Sequence, residues 1–203
     1  MVKKIAIFIS GRGSNMESLL KKSLSDNLPV QFIVVSDNPK ANGLKIAENI
    51  GVKTIVLENC SDGWKLTDEN SEKIEQIIKE HNISLVLLAG FMRIIPKQLI
   101  EKFPSTFVNI HPSLLPSFKG KNAQRDAFEY GVKISGCTVH FVDSGVDTGP
   151  IIMQKGVDIS SCINIEEAKN EILKAEHELY YEALKLLLSS KYTIIGRRVI
   201  FGF

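Results

Sequence analysis

Lys3-Lys4-Ile5-Ala6-Ile7-Phe8-Ile9 leads directly into Ser10-Gly11-Arg12-Gly13-Ser14-Asn15, and these two segments indicate the fold class of the chain. The first segment is a largely apolar run, which is typical of a parallel strand that is buried on both faces. A glycine-bearing turn then leads into a predicted helix over residues 14–24. A strand followed directly by a helix predicts a right-handed crossover and a parallel sheet.

The same alternation continues through the first half of the chain and then changes. The pattern predicts further strands at 30–35, 53–57 and 84–89, and helices at 43–50, 67–80 and from Pro96 onward. In the second half it predicts strands at 107–110, 136–142 and 151–159, a helix at 165–188 capped by Asn164, and a terminal hairpin at 192–201. The turn that ends in Gly149-Pro150 suggests that two of these strands are antiparallel. The sequence therefore predicts one α/β domain over 1–203, with a mostly parallel, Rossmann-like twisted sheet flanked by helices and a partly antiparallel C-terminal portion.

Composition narrows the class of protein. The chain has 203 residues, 44% of them hydrophobic, and a formal net charge of +2. This charge gives no electrostatic reason to expect nucleic acid or a membrane as a partner. The cysteines Cys60, Cys137 and Cys162 are odd in number and lack Cys-x-x-Cys spacing, which predicts free thiols in a reducing compartment. No apolar run has the length of a secretory signal or a membrane span, so we expect a cytoplasmic protein.

The turn at 10–15 is a candidate anion site. Backbone N–H groups at a helix N-terminus, approached through glycines, can bind phosphate, and Ser14 and Asn15 add short polar donors beside Gly13. The third glycine of a dinucleotide fingerprint is missing because Met16 stands in its place, and no Gly-Lys-Ser/Thr of a P-loop follows. The pattern favours a monophosphate; the alternative is an ordinary tight turn with a serine cap.

A second candidate segment follows the predicted strand at 84–89. It reads Ala89-Gly90-Phe91-Met92-Arg93-Ile94-Ile95. Ligands of open α/β sheets bind outside the carboxyl ends of the strands, and an apolar loop with one arginine suits a flat aromatic ligand with an acidic tail. The alternative is that the apolar side chains of this segment belong to the core.

The candidate catalytic residues are Asn109, His111 and Asp147. Asn109 and His111 lie in Asn109-Ile110-His111-Pro112-Ser113-Leu114-Leu115-Pro116, and Asp147 lies in Asp143-Ser144-Gly145-Val146-Asp147-Thr148-Gly149-Pro150. A carboxylate beside an imidazole orients the ring, and an amide beside both can hold an oxyanion. These are the parts of an acyl or formyl transfer site.

The other histidines are assigned no catalytic role by the sequence. His140, within a predicted strand, is interpreted as a buried histidine with its hydrogen bonds satisfied, and His81 as a solvent-facing residue at a helix end. No two histidines have metal-ligand spacing, so we predict no metal site. The helical run Glu176-His177-Glu178 has, on pattern alone, the character of a solvated face.

At these residues the chain resembles the folate-dependent glycinamide ribonucleotide formyltransferases of purine biosynthesis. Besides the two stretches around the catalytic candidates, the matching motifs are 10–15, Ser36-Asp37-Asn38-Pro39, 89–94 and Gly136-Cys137-Thr138-Val139-His140-Phe141-Val142. The resemblance covers nearly the whole chain. It implies transfer of a formyl group from 10-formyltetrahydrofolate, as cosubstrate, to the primary amine of glycinamide ribonucleotide through a tetrahedral oxyanion.

The resemblance also implies roles for individual residues. It implies that 1–105 is the nucleotide- and phosphate-binding half and 106–203 the catalytic and folate-binding half. Asn109, His111 and Asp147 match the catalytic residues of the family, Gly13, Ser14 and Asn15 match its phosphate loop, and Glu176 matches an acid near the ribose. The folate-binding matches are Lys65, Met92, Arg93, Ile94, Ile95, Asn109, Asp143 and Val146.

Two departures from the family pattern stand out, and two rival functions remain. Where the family often has histidines after the Leu-Leu-Pro loop, this chain has Asn122 and Gln124. Lys65 is the basic residue nearest to the position of a family arginine that reaches the folate tail.

The rival functions are a nicotinamide-dependent reductase, suggested by the first half of the chain alone, and a formyl-folate hydrolase-like enzyme. The expected partners are small molecules, with a monomer or a homodimer as the assembly.

Overall fold

The computed structural model of this chain describes residues 2–58, 60 and 63–202. It divides into two compact units, Met1–Val108 and Asn109–Phe203. The predicted fold class is confirmed: helices flank a mostly parallel sheet, and the C-terminal strands are antiparallel. The predicted functional halves at 1–105 and 106–203 stay a prediction.

The first unit is a repeated strand–helix alternation. Its elements are β1 (Lys3–Ile9), α1 (Ser14–Ser25), β2 (Val30–Ser36), α2 (Asn42–Asn49), β3 (Lys53–Val56), α3 (Asp68–Glu80), β4 (Ile83–Leu88) and α4 (Lys97–Lys102). The strands are ordered β3-β2-β1-β4, and each neighbouring pair is parallel. Strand β1 lies inside this order and is paired along both edges. Ile5 to Ile9 are completely buried, so both faces of the strand are covered as well. The carboxyl ends of β1, β2 and β4 therefore lie along one edge, where the loops that follow them meet.

The second unit begins within β5 (Phe107–His111), the strand that crosses the boundary in sequence. It continues with α5 (Ala123–Tyr130), β6 (Ile134–Phe141), β7 (Ile151–Asp158), α6 (Ile165–Ser189), β8 (Tyr192–Ile195) and β9 (Arg198–Phe201). The β6–β7 and β8–β9 pairs are antiparallel, as the short connections predicted. Helix α6 buries an apolar stripe that includes Ile172, Leu179 and Tyr180, and its Asn164 cap accepts a hydrogen bond from the Glu167 N–H at 3.0 Å.

Two details of the predicted secondary structure were wrong. Helix α5 was not predicted, because it has only 8 residues and its start at Asn122 carries no side-chain cap. The available signal was Gly131 at its end, which has the left-handed conformation with φ 84°. Pro96 precedes α4 as its extended cap residue and is not the first helical residue. Among the described residues, no helix is both long and apolar enough to cross a membrane.

Candidate functional site

The second unit brings His111 and Asp147 together. His111 ends strand β5, and Asp147 lies in the loop between β6 and β7. The distance from His111 Nδ1 to Asp147 Oδ2 is 3.3 Å, and only 5% and 11% of the two side chains are exposed. Because little water screens this pair, the carboxylate holds the ring in one orientation.

The second ring nitrogen of His111 faces the backbone carbonyl of Phe118 at 2.9 Å. An oxygen acceptor therefore lies at each nitrogen, and only a doubly protonated imidazole can donate to both. Gly120 N–H donates to Asp147 Oδ2 at 2.9 Å, so the segment from Phe118 to Gly120 contacts both members of the pair. The loop after β5 thus fixes the distance between the imidazole and the carboxylate.

Thr138, a buried residue of β6, anchors this loop. Its hydroxyl donates to the carbonyl of Ser113 at 2.7 Å and accepts from the N–H of Leu115 at 3.0 Å. The Gln154 side chain from β7 donates to the Thr138 hydroxyl and to the Leu115 carbonyl, each at 2.9 Å. Four hydrogen bonds at one buried point hold the loop, which explains the threonine in the Gly136–Val142 motif.

Asn109 contacts a residue to which the sequence assigned no catalytic part. Its Nδ2 lies 3.2 Å from His140 Nε2, and His140 Nδ1 donates to the Phe141 carbonyl at 2.8 Å. The interpretation of His140 as a buried histidine with satisfied hydrogen bonds is confirmed, since only 2% of it is exposed. Its contact with Asn109, and its Nε2 3.7 Å from Asp147 Oδ1, were missed. Burial lowers the pKa of His140, so the ring is held neutral.

The loop that carries Asp147 is closed by its own hydrogen bonds. Asp143 Oδ1 accepts from the Gly145 N–H at 3.0 Å and from the Thr148 hydroxyl at 2.5 Å. A Cβ on Gly149 would overlap the Phe141 carbonyl, so only glycine fits there. Asp147 itself has a positive φ of 52°, and Val146 beside it is half exposed. Of the two predicted folate contacts in this loop, Val146 is open to solvent and Asp143 closes the turn.

In the first unit, the predicted phosphate loop is an open start of helix α1. Gly13 is the residue before the helix, with φ 78°, and no side chain caps the first turn. The first N–H groups of a helix have no acceptor within the helix itself and can bind an anion. A Cβ on Gly13 would lie 2.8 Å from the Cα of Gly43 in α2, so two glycines let the loop and α2 approach closely. Gly43 had no signal in the sequence beyond its place near a helix start.

Ser10 joins this loop to the segment after β4. Its hydroxyl accepts from the Met92 N–H at 2.8 Å, and its own N–H donates to the Gly90 carbonyl at 3.1 Å. The Asn38 side chain donates to the Ser10 carbonyl at 3.1 Å. The motifs at 10–15, 36–39 and 89–94 therefore form one hydrogen-bonded edge.

The predicted folate segment at 92–95 divides into exposed and buried residues. Met92 and Ile94 are exposed, whereas Ile95 is buried in the core. Arg93 donates through Nε to Asp37 Oδ2 at 2.5 Å and through its guanidinium to the carbonyl of Gly63. With 12% of its side chain exposed, Arg93 holds neighbouring loops together in this conformation.

Lys65 lies beside the same segment. It forms an isolated parallel bridge with Ile94, and the Ile94 N–H donates to the Trp64 carbonyl at 2.8 Å. The Lys65 ammonium lies 5.1 Å from the centre of the exposed Trp64 ring. An exposed cation next to exposed apolar side chains suits an amphipathic ligand with an anionic end.

The burial of Glu176 contradicts the interpretation of the run at 176–178 in helix α6 as a solvated acidic face. Only 6% of Glu176 is exposed, whereas 54% of the Glu178 side chain is exposed. The interpretation of this run as a solvated face was therefore wrong for Glu176. Burial raises the pKa of the Cys137 thiol to about 12, and the charge of Glu176 adds to this shift. A buried carboxylate near β6 is unusual in a purely structural helix. Among the described residues, no group of three potential ligands is arranged to hold a metal ion.

In the second unit, close contacts link the Asn109 amide to His140, and both His140 and His111 lie near the Asp147 carboxylate; an amide, an imidazole and a carboxylate are groups that acyl- and formyl-transfer sites use. The formyl transferase family profile matches residues 3–184, and the chain belongs to this family. It is 39% identical over 192 residues to a phosphoribosylglycinamide formyltransferase of Bacillus subtilis (strain 168), covering 92% of this chain and 95% of that protein. It is also 39% identical over 187 residues to the trifunctional purine biosynthetic protein adenosine-3 of Homo sapiens, covering 92% of this chain but only 18% of that protein.

Solved structures extend the similarity to the fold. The glycinamide ribonucleotide transformylase 1 of Symbiobacterium toebii superposes with a TM-score of 0.91 at 37% identity, over 98% of this chain and 94% of that chain. The phosphoribosylglycinamide formyltransferase of Anaplasma phagocytophilum gives a TM-score of 0.88 at 40% identity, over 100% and 96% of the two chains. The chain therefore matches these bacterial proteins along their length and about a fifth of the trifunctional ones.

Proposed function

We propose that this protein transfers the formyl group of 10-formyltetrahydrofolate to the primary amine of glycinamide ribonucleotide, a step of purine biosynthesis. The observation that carries the proposal is the 3.3 Å contact of His111 with Asp147, beside Asn109 in the same unit. Relatives named phosphoribosylglycinamide formyltransferase, which match nearly end to end, support the choice of substrates.

The reaction begins when the amine attacks the formyl carbon and the formyl oxygen takes up the negative charge. Asn109 and protonated His111 donate hydrogen bonds to this oxyanion. Because the Phe118 carbonyl occupies His111 Nε2, the oxyanion takes the place of that carbonyl as acceptor. An anion is the stronger acceptor, so the exchange favours the transition state over the ground state.

Collapse of the intermediate breaks the bond between the formyl carbon and N10 of the folate. The attacking nitrogen loses a proton and the folate nitrogen gains one, with His111 or a water as the carrier. Asp147 keeps the imidazole oriented and charged while the oxyanion exists. No covalent enzyme intermediate forms in this scheme, and no step requires a metal.

The substrate-binding roles form the second part of the proposal. The start of α1, with Gly13, Ser14 and Asn15, binds the phosphate of the ribonucleotide, and Glu176 binds its ribose hydroxyls. The exposed Met92 and Ile94 contact the apolar part of the folate. The remaining proposed folate contacts are Lys65 at the acidic tail, with Arg93, Ile95, Asn109, Asp143 and Val146.

The test is an absorbance assay of the deformylated folate product with the purified protein. We expect product only when both 10-formyltetrahydrofolate and glycinamide ribonucleotide are present, and no effect of a metal chelator. Product formed at the same rate without the ribonucleotide would instead identify a formyl-folate hydrolase. Binding of NADH with no product in any arm would favour a nicotinamide-dependent reductase. Cell fractionation would test the predicted cytoplasmic location.

A further inference from the structure

We propose that His140 is a positioning residue that sets the orientation of the Asn109 amide for formyl transfer. This inference rests on the proposed function, because Asn109 matters only if an oxyanion forms beside it. The observation is a chain of two hydrogen bonds, from Asn109 Nδ2 to His140 Nε2 at 3.2 Å and from His140 Nδ1 to the Phe141 carbonyl at 2.8 Å.

The direction of this chain follows from its last acceptor. A backbone carbonyl can only accept, so His140 Nδ1 must carry a proton. In a neutral ring Nε2 then has no proton and can only accept, and the group facing it must be the NH2 end of the Asn109 side chain. Burial, which lowers the pKa of His140, keeps the ring in this neutral form.

One N–H of the Asn109 amide is thereby assigned to His140. The second N–H of the same planar group is fixed in direction and is the donor left for the oxyanion. Without an acceptor at His140 the amide could rotate about its last bond, and its oxygen could then face the developing negative charge. His140 thus acts on the reaction through Asn109, without contact with the reacting atoms.

The location of His140 excludes a simpler role as a second partner of the carboxylate. Its Nε2 is 3.7 Å from Asp147 Oδ1, beyond hydrogen-bond distance, and a neutral ring has no Nε2 proton to donate. The titratable groups that face it are Asp147, His111 and Asp143. Asp147 already accepts from Gly120 and contacts His111, so its placement does not depend on His140.

The experiment is a double-mutant cycle of formyl transfer with His140→Leu and Asn109→Ala. We expect His140→Leu alone to lower kcat about tenfold to a hundredfold, with KM for both substrates nearly unchanged. This is less than the about 10²–10³-fold loss that removal of an oxyanion donor causes, because the amide is misoriented and not removed. In the Asn109→Ala background the same change should lower kcat less than threefold, because there is no amide left to orient. His140→Gln, which offers an acceptor oxygen, should recover most of the rate.

The control is His81→Leu, the same exchange at a histidine of the first unit whose Nε2 lies 3.4 Å from the Lys53 ammonium at an exposed position; it should leave kcat unchanged. If His140→Leu lowers kcat by the same factor in the wild-type and the Asn109→Ala backgrounds, the proposal is wrong. It is also wrong if the His140→Gln enzyme is no faster than a folded His140→Leu enzyme. The wild-type protein gives a further test by ¹⁵N NMR of the His140 ring. A protonated Nε2 at neutral pH would refute the proposal even if no variant folds, whereas an inactive wild type would refute formyl transfer itself.

Discussion

Replacing Asp147 by Asn tests the central contact of the proposed mechanism. Asparagine has nearly the same shape as aspartate, and its oxygen can still accept the hydrogen bond from the Gly120 N–H. Its NH2 group takes the place of Oδ1, which lies 3.7 Å from His140 Nε2 and so beyond hydrogen-bond distance, and it therefore leaves the contact of His140 with Asn109 in place. The variant should therefore fold, and the change removes mainly the negative charge.

The size of the effect follows from the distance and the burial. Opposite unit charges at 3.3 Å attract by about 5 kcal/mol at an effective dielectric constant of about 20, and by about 1 kcal/mol in bulk water. Since the two side chains are 5% and 11% exposed, the larger value is the better guide. The asparagine dipole retains part of it, so we expect a loss of about 3–4 kcal/mol, or about 10²–10³-fold in kcat.

The assay is the initial rate of folate product formation, with thermal unfolding measured in parallel. Asp158→Asn is the matched control, because Asp158 is an acid of the same unit that accepts a hydrogen bond from Ser160 in an exposed turn. Its kcat should equal that of the wild type. If Asp147→Asn retains kcat within about threefold of wild type while folded, the charge of Asp147 does not stabilise the transition state and the mechanism above is wrong.

Three further predictions concern other parts of the molecule. His111→Ala should abolish turnover but leave the affinity for a folate analogue near the wild-type value in calorimetry, because the ring acts on the oxyanion. Gly13→Ala should weaken binding of the ribonucleotide at least tenfold and lower the free energy of unfolding by about 1–3 kcal/mol, since φ is 78° there and a Cβ meets α2. The free energy of unfolding should fall as pH is lowered from about 7 through 6.5, because the folded state binds a proton at His140 less readily than the unfolded chain.

Each of these has a control and a contrary outcome. Gly11→Ala is matched to Gly13→Ala, since no atom lies within 4 Å of its added Cβ, and equal losses in both variants would contradict the steric argument. Turnover in His111→Ala above a hundredth of the wild-type rate would contradict its role at the oxyanion. In His140→Leu the loss of stability below pH 6.5 should be smaller; an unchanged loss would assign it to other groups.

Much of the fold was readable from the sequence, because secondary structure depends on neighbours along the chain. The buried run of β1, the cap at Asn164 and the terminal hairpin were all predicted and observed. The misses have local causes too: α5 is short and lacks a side-chain cap, and Pro96 fits either side of a helix boundary. Where periodicity is weak, the sequence alone does not distinguish a helix from a loop.

The amino-acid sequence is enough to predict that an amide, an imidazole and a carboxylate follow strands of an α/β fold, and the resemblance of its motifs to a known family indicates the chemistry. Only the folded chain shows which groups are in contact: His140 contacts Asn109, Arg93 pairs with Asp37, and Glu176 is buried. Asn109 and His140 are 31 positions apart in the chain, and Arg93 and Asp37 are 56 positions apart. Their partners are set by strand order and register, so no local pattern in the chain records them.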